Sequence, residues 1–167
     1  MSNTSSPLGQ VTPDIIAEVR SLIAAARYGA LATLAPADGW PQATRVGLAS
    51  FEGGPLILIS ALAAHTAALR ADPRCALLIG EVGKGDPLAH PRASLTCRAV
   101  EIPRTDPRAA AARTAYLAAQ PKAQLYVDLP DFTFMQLAIA RVSYNAGFGK
   151  AFALSGEDLA RENPGSQ

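Results

Sequence analysis

Hydrophobic positions along this chain of 167 residues change their period several times, and each change predicts an element. Ile15, Ile16, Val19, Leu22 and Ile23 recur at helical spacing behind Thr12-Pro13, a capping residue followed by proline at the first helical position. The pattern predicts an amphipathic helix ending near Ala26. Gly29 to Ala35 (GALATLA) and Pro41 to Ser50 (PQATRVGLAS) flank Ala37-Asp38-Gly39, where glycine is available for positive φ, and together they predict a β-hairpin. A break at Glu52-Gly53-Gly54-Pro55 leads into LILIS, a third strand. Leu62 to Arg70 is Ala-rich and helical, and Asp72-Pro73 stops it before CALLIGEV and, beyond a Gly/Pro loop, RASLTCRAVEI. Asp106-Pro107 caps an Ala-rich helix that Pro121 ends. Phe132 to Tyr144, with Phe132, Phe134, Leu137 and Ile139 largely apolar, supplies a last strand.

Only one of these helices stands between neighbouring strands where a crossover would use it, so a doubly wound parallel sheet is excluded. Five or six short strands with Gly/Pro turns predict a small, mainly β, mostly antiparallel barrel with helices around it. No repeat or linker divides the chain. The expected organisation is a disordered N-terminus over 1–11, one domain over 12–155 and a C-terminal tail over 156–167.

Composition narrows the function. Hydrophobic residues make up 49% and charged residues 17%, which excludes a disordered polyelectrolyte. Fifteen Lys and Arg against fourteen Asp and Glu give +1 with no basic run, so nucleic acid is not an expected partner and any anionic ligand must be caught locally. The apolar stretch Pro55 to Ala64 is too short to span a bilayer, and MSNTSSPLGQ offers no secretory apolar core; no membrane association is expected and the cytoplasm is the expected compartment. Two cysteines and two histidines do not supply a closed zinc site, so no metal is expected. Cys75 and Cys97 lie in strand-like runs and read as buried small hydrophobes in a reducing compartment, with nothing in the sequence to favour a disulfide. No GxSxG, GxxxxGK[ST] or HExxH occurs. GKGDPL at Gly83 to Leu88 carries a GxG, but Pro87 breaks the helix that a dinucleotide fingerprint requires.

The segment from Leu56 to Ile79 is richest in chemistry. A buried strand ends in Ser60, and a short helix begins nearby with His65 and Thr66 in or near its first turn. A helix N-terminus offers unpaired N–H groups and the positive end of a dipole, which suits a phosphate; Ser60 and Thr66 add hydroxyl donors and His65 an imidazole N–H. The plainer expectation is that Ser60 caps the helix and His65 lies on its solvated face. Arg45 sits mid-strand between Thr44 and Val46, where a cation faces either solvent or an anion, and Arg92 opens a later strand in the same sense.

GALATL, DGWPQATRVGLASF, LILISALAAHTAALRADPRCALLI, PRASLTCRAV and GFGKA, in this order and spacing over Arg27 to Ala151, resemble the pyridoxamine 5'-phosphate oxidase-like split-barrel superfamily of FMN-binding proteins, most closely its haem-utilisation branch. The resemblance implies an antiparallel six-stranded split β-barrel with flanking helices and a homodimer holding FMN at its interface. It implies phosphate contacts from Arg45, Ser60, His65 and Thr66, backbone at Val46 and Gly47 near the isoalloxazine edge, and a polar flavin contact at Arg92. Lys150, within GFGKA, is a further phosphate candidate. The chain departs from the pattern at Ala67 and Ala68, where relatives often carry Arg-Asn, and NPGSQ lacks the Arg-containing substrate tail of true pyridoxamine phosphate oxidases. With His65 given to phosphate, His90 is the spare imidazole.

The implied function is an FMN-dependent oxidoreductase acting on a small-molecule substrate, with flavin carrying the electrons and no side-chain nucleophile required; no catalytic residue is assigned. The alternatives are a haem-binding or haem-degrading protein of the same branch, and a split-barrel module that has lost flavin.

Overall fold

The computed structural model describes residues 8–161. Residues 1–7, part of the expected disordered start, and 162–167, part of the expected tail, lie outside the described residues. Helix α1 (Pro13–Ala25) starts where the sequence predicts, with the Thr12 hydroxyl accepting a hydrogen bond from the Ile15 N–H. Packing also reaches past the expected domain bounds: the Gly9 N–H donates to the Ala151 carbonyl, and α4 (Gly156–Ala160) is held by the Arg20 guanidinium on the Leu159 carbonyl.

Eight strands form one antiparallel sheet, where six are expected. They are β1 (Tyr28–Leu34), β2 (Pro41–Gly47), β3 (Ala49–Phe51), β4 (Gly54–Ser60), β5 (Arg74–Ile79), β6 (Arg92–Ile102), β7 (Phe132–Asn145) and β8 (Ala151–Ser155). Their order is β2-β1-β5-β6-β7-β4-β3, with β8 also on β7. The two added strands have local causes. PQATRVGLAS divides at buried Leu48, whose N–H donates to the Arg27 carbonyl at 2.9 Å and turns the chain out of β2 before β3 begins. Beyond the strand expected to be last, Gly147 and Gly149 at positive φ reverse the chain and return β8 onto β7.

The split arises on β7. One edge pairs with β6 from Arg92↔Asn145 to Ile102↔Phe134, with a register shift at Thr96/Cys97. The other edge is shared, with β4 taking Phe132 to Gln136 and β8 taking Arg141 to Asn145. Between them a Cβ on Gly156 would lie 2.3 Å from the Ile139 carbonyl oxygen, so the start of α4 fits there only because residue 156 has no side chain.

Two cores result. Val19 and Ile23 of α1 cover Leu31, Ile57, Ile59, Leu77, Leu95 and Leu137 inside the curled sheet, while Tyr116 of α3 (Ala109–Ala119) packs with Leu56, Ile102 and Phe134 on its other side. Strand β4 lies between the two, which explains why LILIS is apolar without alternation whereas β1 alternates. Cys75 and Cys97 face each other across β5 and β6 as free thiols, and burial pushes their pKa values up to about 11 and about 12.

Two outcomes follow from this packing. Gly156→Ala forces a methyl group against the Ile139 carbonyl and is expected to cost about 1–3 kcal/mol in urea denaturation, whereas an unchanged midpoint would show that the close approach is not there. Both cysteines, protonated at neutral pH and buried, should react with a disulfide reagent much more slowly in the native protein than in denaturant.

Candidate functional site

Strand β2 ends the sheet order, so its outer edge has no strand partner among the described residues. Along it, Thr44 and Val46 turn to the interior and Arg45 to the outer face, as strand alternation requires. The Arg45 guanidinium stands 5.9 Å from the centroid of the half-exposed Tyr28 ring and makes no hydrogen bond or ion pair with the described residues. Its donors are therefore available. Beside it is an open depression of about 310 Å³ lined by Tyr28, Gly29, Ala30, Arg45, Leu78 and Gly80 among others. Arg45 is exposed, as the alternative of a cation facing solvent expects, with the Tyr28 ring as its one cation–π neighbour among the described residues.

Helix α2 (Ala64–Ala71) runs from the far side of the same strand. His65 is half-buried, and its Nδ1 lies 3.1 Å from the Thr44 hydroxyl, so it does not sit on a solvated face. Burial lowers its pKa, which keeps the ring neutral at neutral pH. Thr66 is fully buried and its hydroxyl donates to the Ser60 carbonyl at 2.6 Å. Ser60 donates to the Asp131 carboxylate at 2.8 Å and accepts from the Leu62 N–H at 3.1 Å. It thus ties the turn before α2 to the residue leading into β7; the helix cap is Ala63, which offers no side-chain bond. Both hydroxyl protons expected on an anion are spent within the chain, while the Arg45 guanidinium and Nε2 of His65 have no hydrogen-bond partner among the described residues. Ala67 is exposed and Ala68 fully buried, so a longer polar residue at 68 has no room without repacking.

The remaining candidates divide. Val46 is buried and offers only backbone outward. Gly47 answers to packing, since a Cβ there would stand 2.9 Å from the Tyr116 hydroxyl oxygen. Arg92, at the start of β6, donates to the Leu88 carbonyl at 2.8 Å and braces the loop before it. Lys150 lines a separate depression with Asp14, Glu18 and Tyr144 that shares no lining residue with the one beside Arg45. His90 Nε2 lies 3.1 Å from the Lys84 carbonyl, outside both. Among the described residues no group of three or more His, Cys, Asp or Glu side chains could hold a metal. Sequence reasoning missed Thr44, Tyr28 and Asp131; the available signals were the alternation that turns Thr44 inward next to Arg45 and the carboxylate immediately before Phe132.

An end strand presenting Arg45 without a hydrogen bond or ion pair to the described residues, and a helix start presenting His65, stand on an antiparallel, helix-flanked split barrel. The chain belongs to the pyridoxamine 5'-phosphate oxidase family, which it matches over residues 15–146. It is 35% identical over 144 residues to the Arabidopsis thaliana protein named "Non-canonical heme oxygenase HOZ, chloroplastic", covering 85% of this chain and 43% of that one. The solved heme binding protein of Mycobacterium smegmatis is 32% identical with a TM-score of 0.82, over 92% of this chain and 62% of that one. The chain therefore spans less than two thirds of either relative. Campylobacter jejuni ChuZ, 18% identical with a TM-score of 0.78 over 95% of this chain and 68% of that one, shares the fold. No helix among the described residues is long and apolar enough to cross a membrane.

Thr66→Val preserves shape but removes one of two donors from the Ser60 carbonyl, which keeps the Ala63 N–H at 3.1 Å, so a loss of about 0.5–1.5 kcal/mol is expected by chemical denaturation, with Thr66→Ser close to the parent. Equal stability of Thr66→Val and parent would remove the structural role assigned to this hydroxyl.

Proposed function

We propose that the chain is an FMN-binding flavoprotein of oxidoreductase type, with the phosphate at the corner formed by β2 and α2. The observation that carries this reading is Arg45, held over Tyr28 with no hydrogen bond or ion pair to the described residues. A guanidinium in that condition is suited to a charge-assisted, bidentate contact with a phosphate. His65 adds a neutral N–H donor, and the first turn of α2 adds backbone N–H groups that precede its intrahelical bonds. Ser60 and Thr66 then act through the turn they hold, and Arg92 through the loop it braces; Lys150 remains a weaker candidate for the phosphate. The residues present fit the group, and the flavin, when bound, supplies hydride or electron transfer between a small-molecule substrate and an acceptor. The protein's own part is to bind, orient and exclude water, and no catalytic side chain is assigned.

In this reading a second copy covers the outer face of the sheet, where Tyr28, Leu78 and Val100 are exposed, and closes the shallow depression beside Arg45 into an interface site. Two buried free thiols accord with a reducing compartment, the cytoplasm. The names of the Arabidopsis and mycobacterial relatives favour a second reading, in which the same barrel binds or degrades haem. The absorbance of the protein as isolated separates flavin bands from a Soret band, and neither band would mark a module without cofactor.

Arg45 provides the quantitative test. Arg45→Ala should weaken FMN binding by about tenfold or more, because hydrogen bonds to charged groups are worth roughly 1.5–3 kcal/mol, and Arg45→Lys should restore only part of it. Equal affinities across the three proteins, with unchanged circular dichroism, would remove Arg45 from the site. Light scattering that gave a monomer at every concentration would remove the second copy.

A further inference from the structure

Thr44 has no place among the residues that the sequence marks for chemistry, yet it is the residue that holds the imidazole at this corner. Its side chain turns inward between those of Gln42 and Val46, and its hydroxyl lies 3.1 Å from His65 Nδ1 across 21 positions of sequence. Threonine hydroxyls can donate one proton and accept another. Among the described residues Nδ1 is the one partner of this hydroxyl, and the site is half-buried, so a proton not spent on Nδ1 has only solvent to accept it. The ring is neutral for the reason given above, so it has one bare nitrogen and one N–H. If Nδ1 is the bare nitrogen, both groups are satisfied and the N–H is at Nε2, for which no partner is present among the described residues.

We propose that Thr44 is a positioning residue: its hydroxyl donates to Nδ1 of His65, fixes the neutral ring as the Nε2–H tautomer, and so makes His65 a donor to a phosphate ester at the start of α2. The ligand half of this inference rests on the FMN reading; the tautomer half does not. Strand β2 thus contributes to the corner from both faces, Arg45 as a cation from the outer one and Thr44 through His65 from the inner one. The spacing has a physical reason, because only adjacent strand residues reach opposite faces while remaining within one residue of the same point. It also distinguishes phosphate from the rest of the flavin: a neutral N–H donor contributes to phosphate binding, and riboflavin, which lacks the phosphate, is indifferent to it.

The test uses the full chain without ligand and then with it. Long-range nitrogen–proton correlation spectra of the free protein at about pH 8, above the ordinary histidine range, report which ring nitrogen carries the proton and whether the other accepts a hydrogen bond. The parent should show a protonated Nε2 and an Nδ1 displaced by an accepted hydrogen bond. Thr44→Val, which keeps the β-branched shape, should abolish that displacement, and Thr44→Ser should retain it. In titrations, Thr44→Val should bind FMN about threefold to tenfold more weakly, Thr44→Ser near parent, and all three should bind riboflavin alike. A proton on Nδ1 in the parent, or an Nδ1 signal unmoved by Thr44→Val, would overturn the proposal. So would equal FMN affinity of parent and Thr44→Val. If the parent shows the expected ring signature and binds no FMN, the flavin reading fails while the hold of Thr44 on His65 is supported.

Discussion

The structure depends on one strand having three partners. Strand β7 gives one edge wholly to β6 and divides the other between β4 and β8, so the sheet branches at β7 instead of running as a single series of strands. Backbone hydrogen bonding makes this costly to alter, because an unpaired buried N–H or carbonyl is penalised by about as much as a typical single core substitution. The register shift at Thr96/Cys97 lets β6 follow β7 through its bend. From that arrangement comes the position of β4 between two cores, and from β4 comes the turn at Ser60 on which α2 is mounted.

The corner at β2 and α2 is stiff where the chain spends its own hydrogen bonds and open where it does not. Thr66 on the Ser60 carbonyl and Ser60 on Asp131 lock the turn to the start of β7, and Gln120 of the α3 end donates to the Leu48 carbonyl at 3.0 Å to hold the other end of β2. Internal satisfaction of these groups orders the segments that carry Arg45 and His65, and leaves the Arg45 guanidinium without a hydrogen bond or ion pair among the described residues. A site of this kind loses little conformational freedom on binding, since its scaffold is already ordered. The sheet face around Tyr28 and Leu78 carries small neighbours at Ala30 and Ala43, which leaves the open depression beside Arg45.

Most elements were legible because each carries a local signal that tertiary contacts did not override. Thr12-Pro13, Gly39 at φ 74 and the periodicity of Ile15 to Ile23 act within a few residues, and the elements they predict are present. The misses have another origin. Nothing local ends β2 at Gly47; the chain turns there because Leu48 bonds to Arg27 and because Tyr116, 69 positions away, occupies the space where a side chain at 47 would go. AFALS is too short to count as a strand until β7 offers it an edge. CALLIGEV stops at Ile79 because Gly80, at φ 132, lies against the Pro91 carbonyl.

The amino-acid order by itself determined the kind of protein: an antiparallel, helix-flanked barrel with a cation in its second strand and a Ser, His and Thr around the turn before a short helix, since periodicity, turn residues and caps are properties of neighbours along the chain. Which of those polar groups remain free was decided only in three dimensions. Whether a hydroxyl is spent depends on what stands within about 3 Å of it, and the partners of Ser60, Thr66 and His65 lie on other segments or across a turn: Asp131, the Ser60 carbonyl and Thr44. Sequence can nominate a donor, but the supply of acceptors around it is set by the pairing of strands that are far apart in the chain.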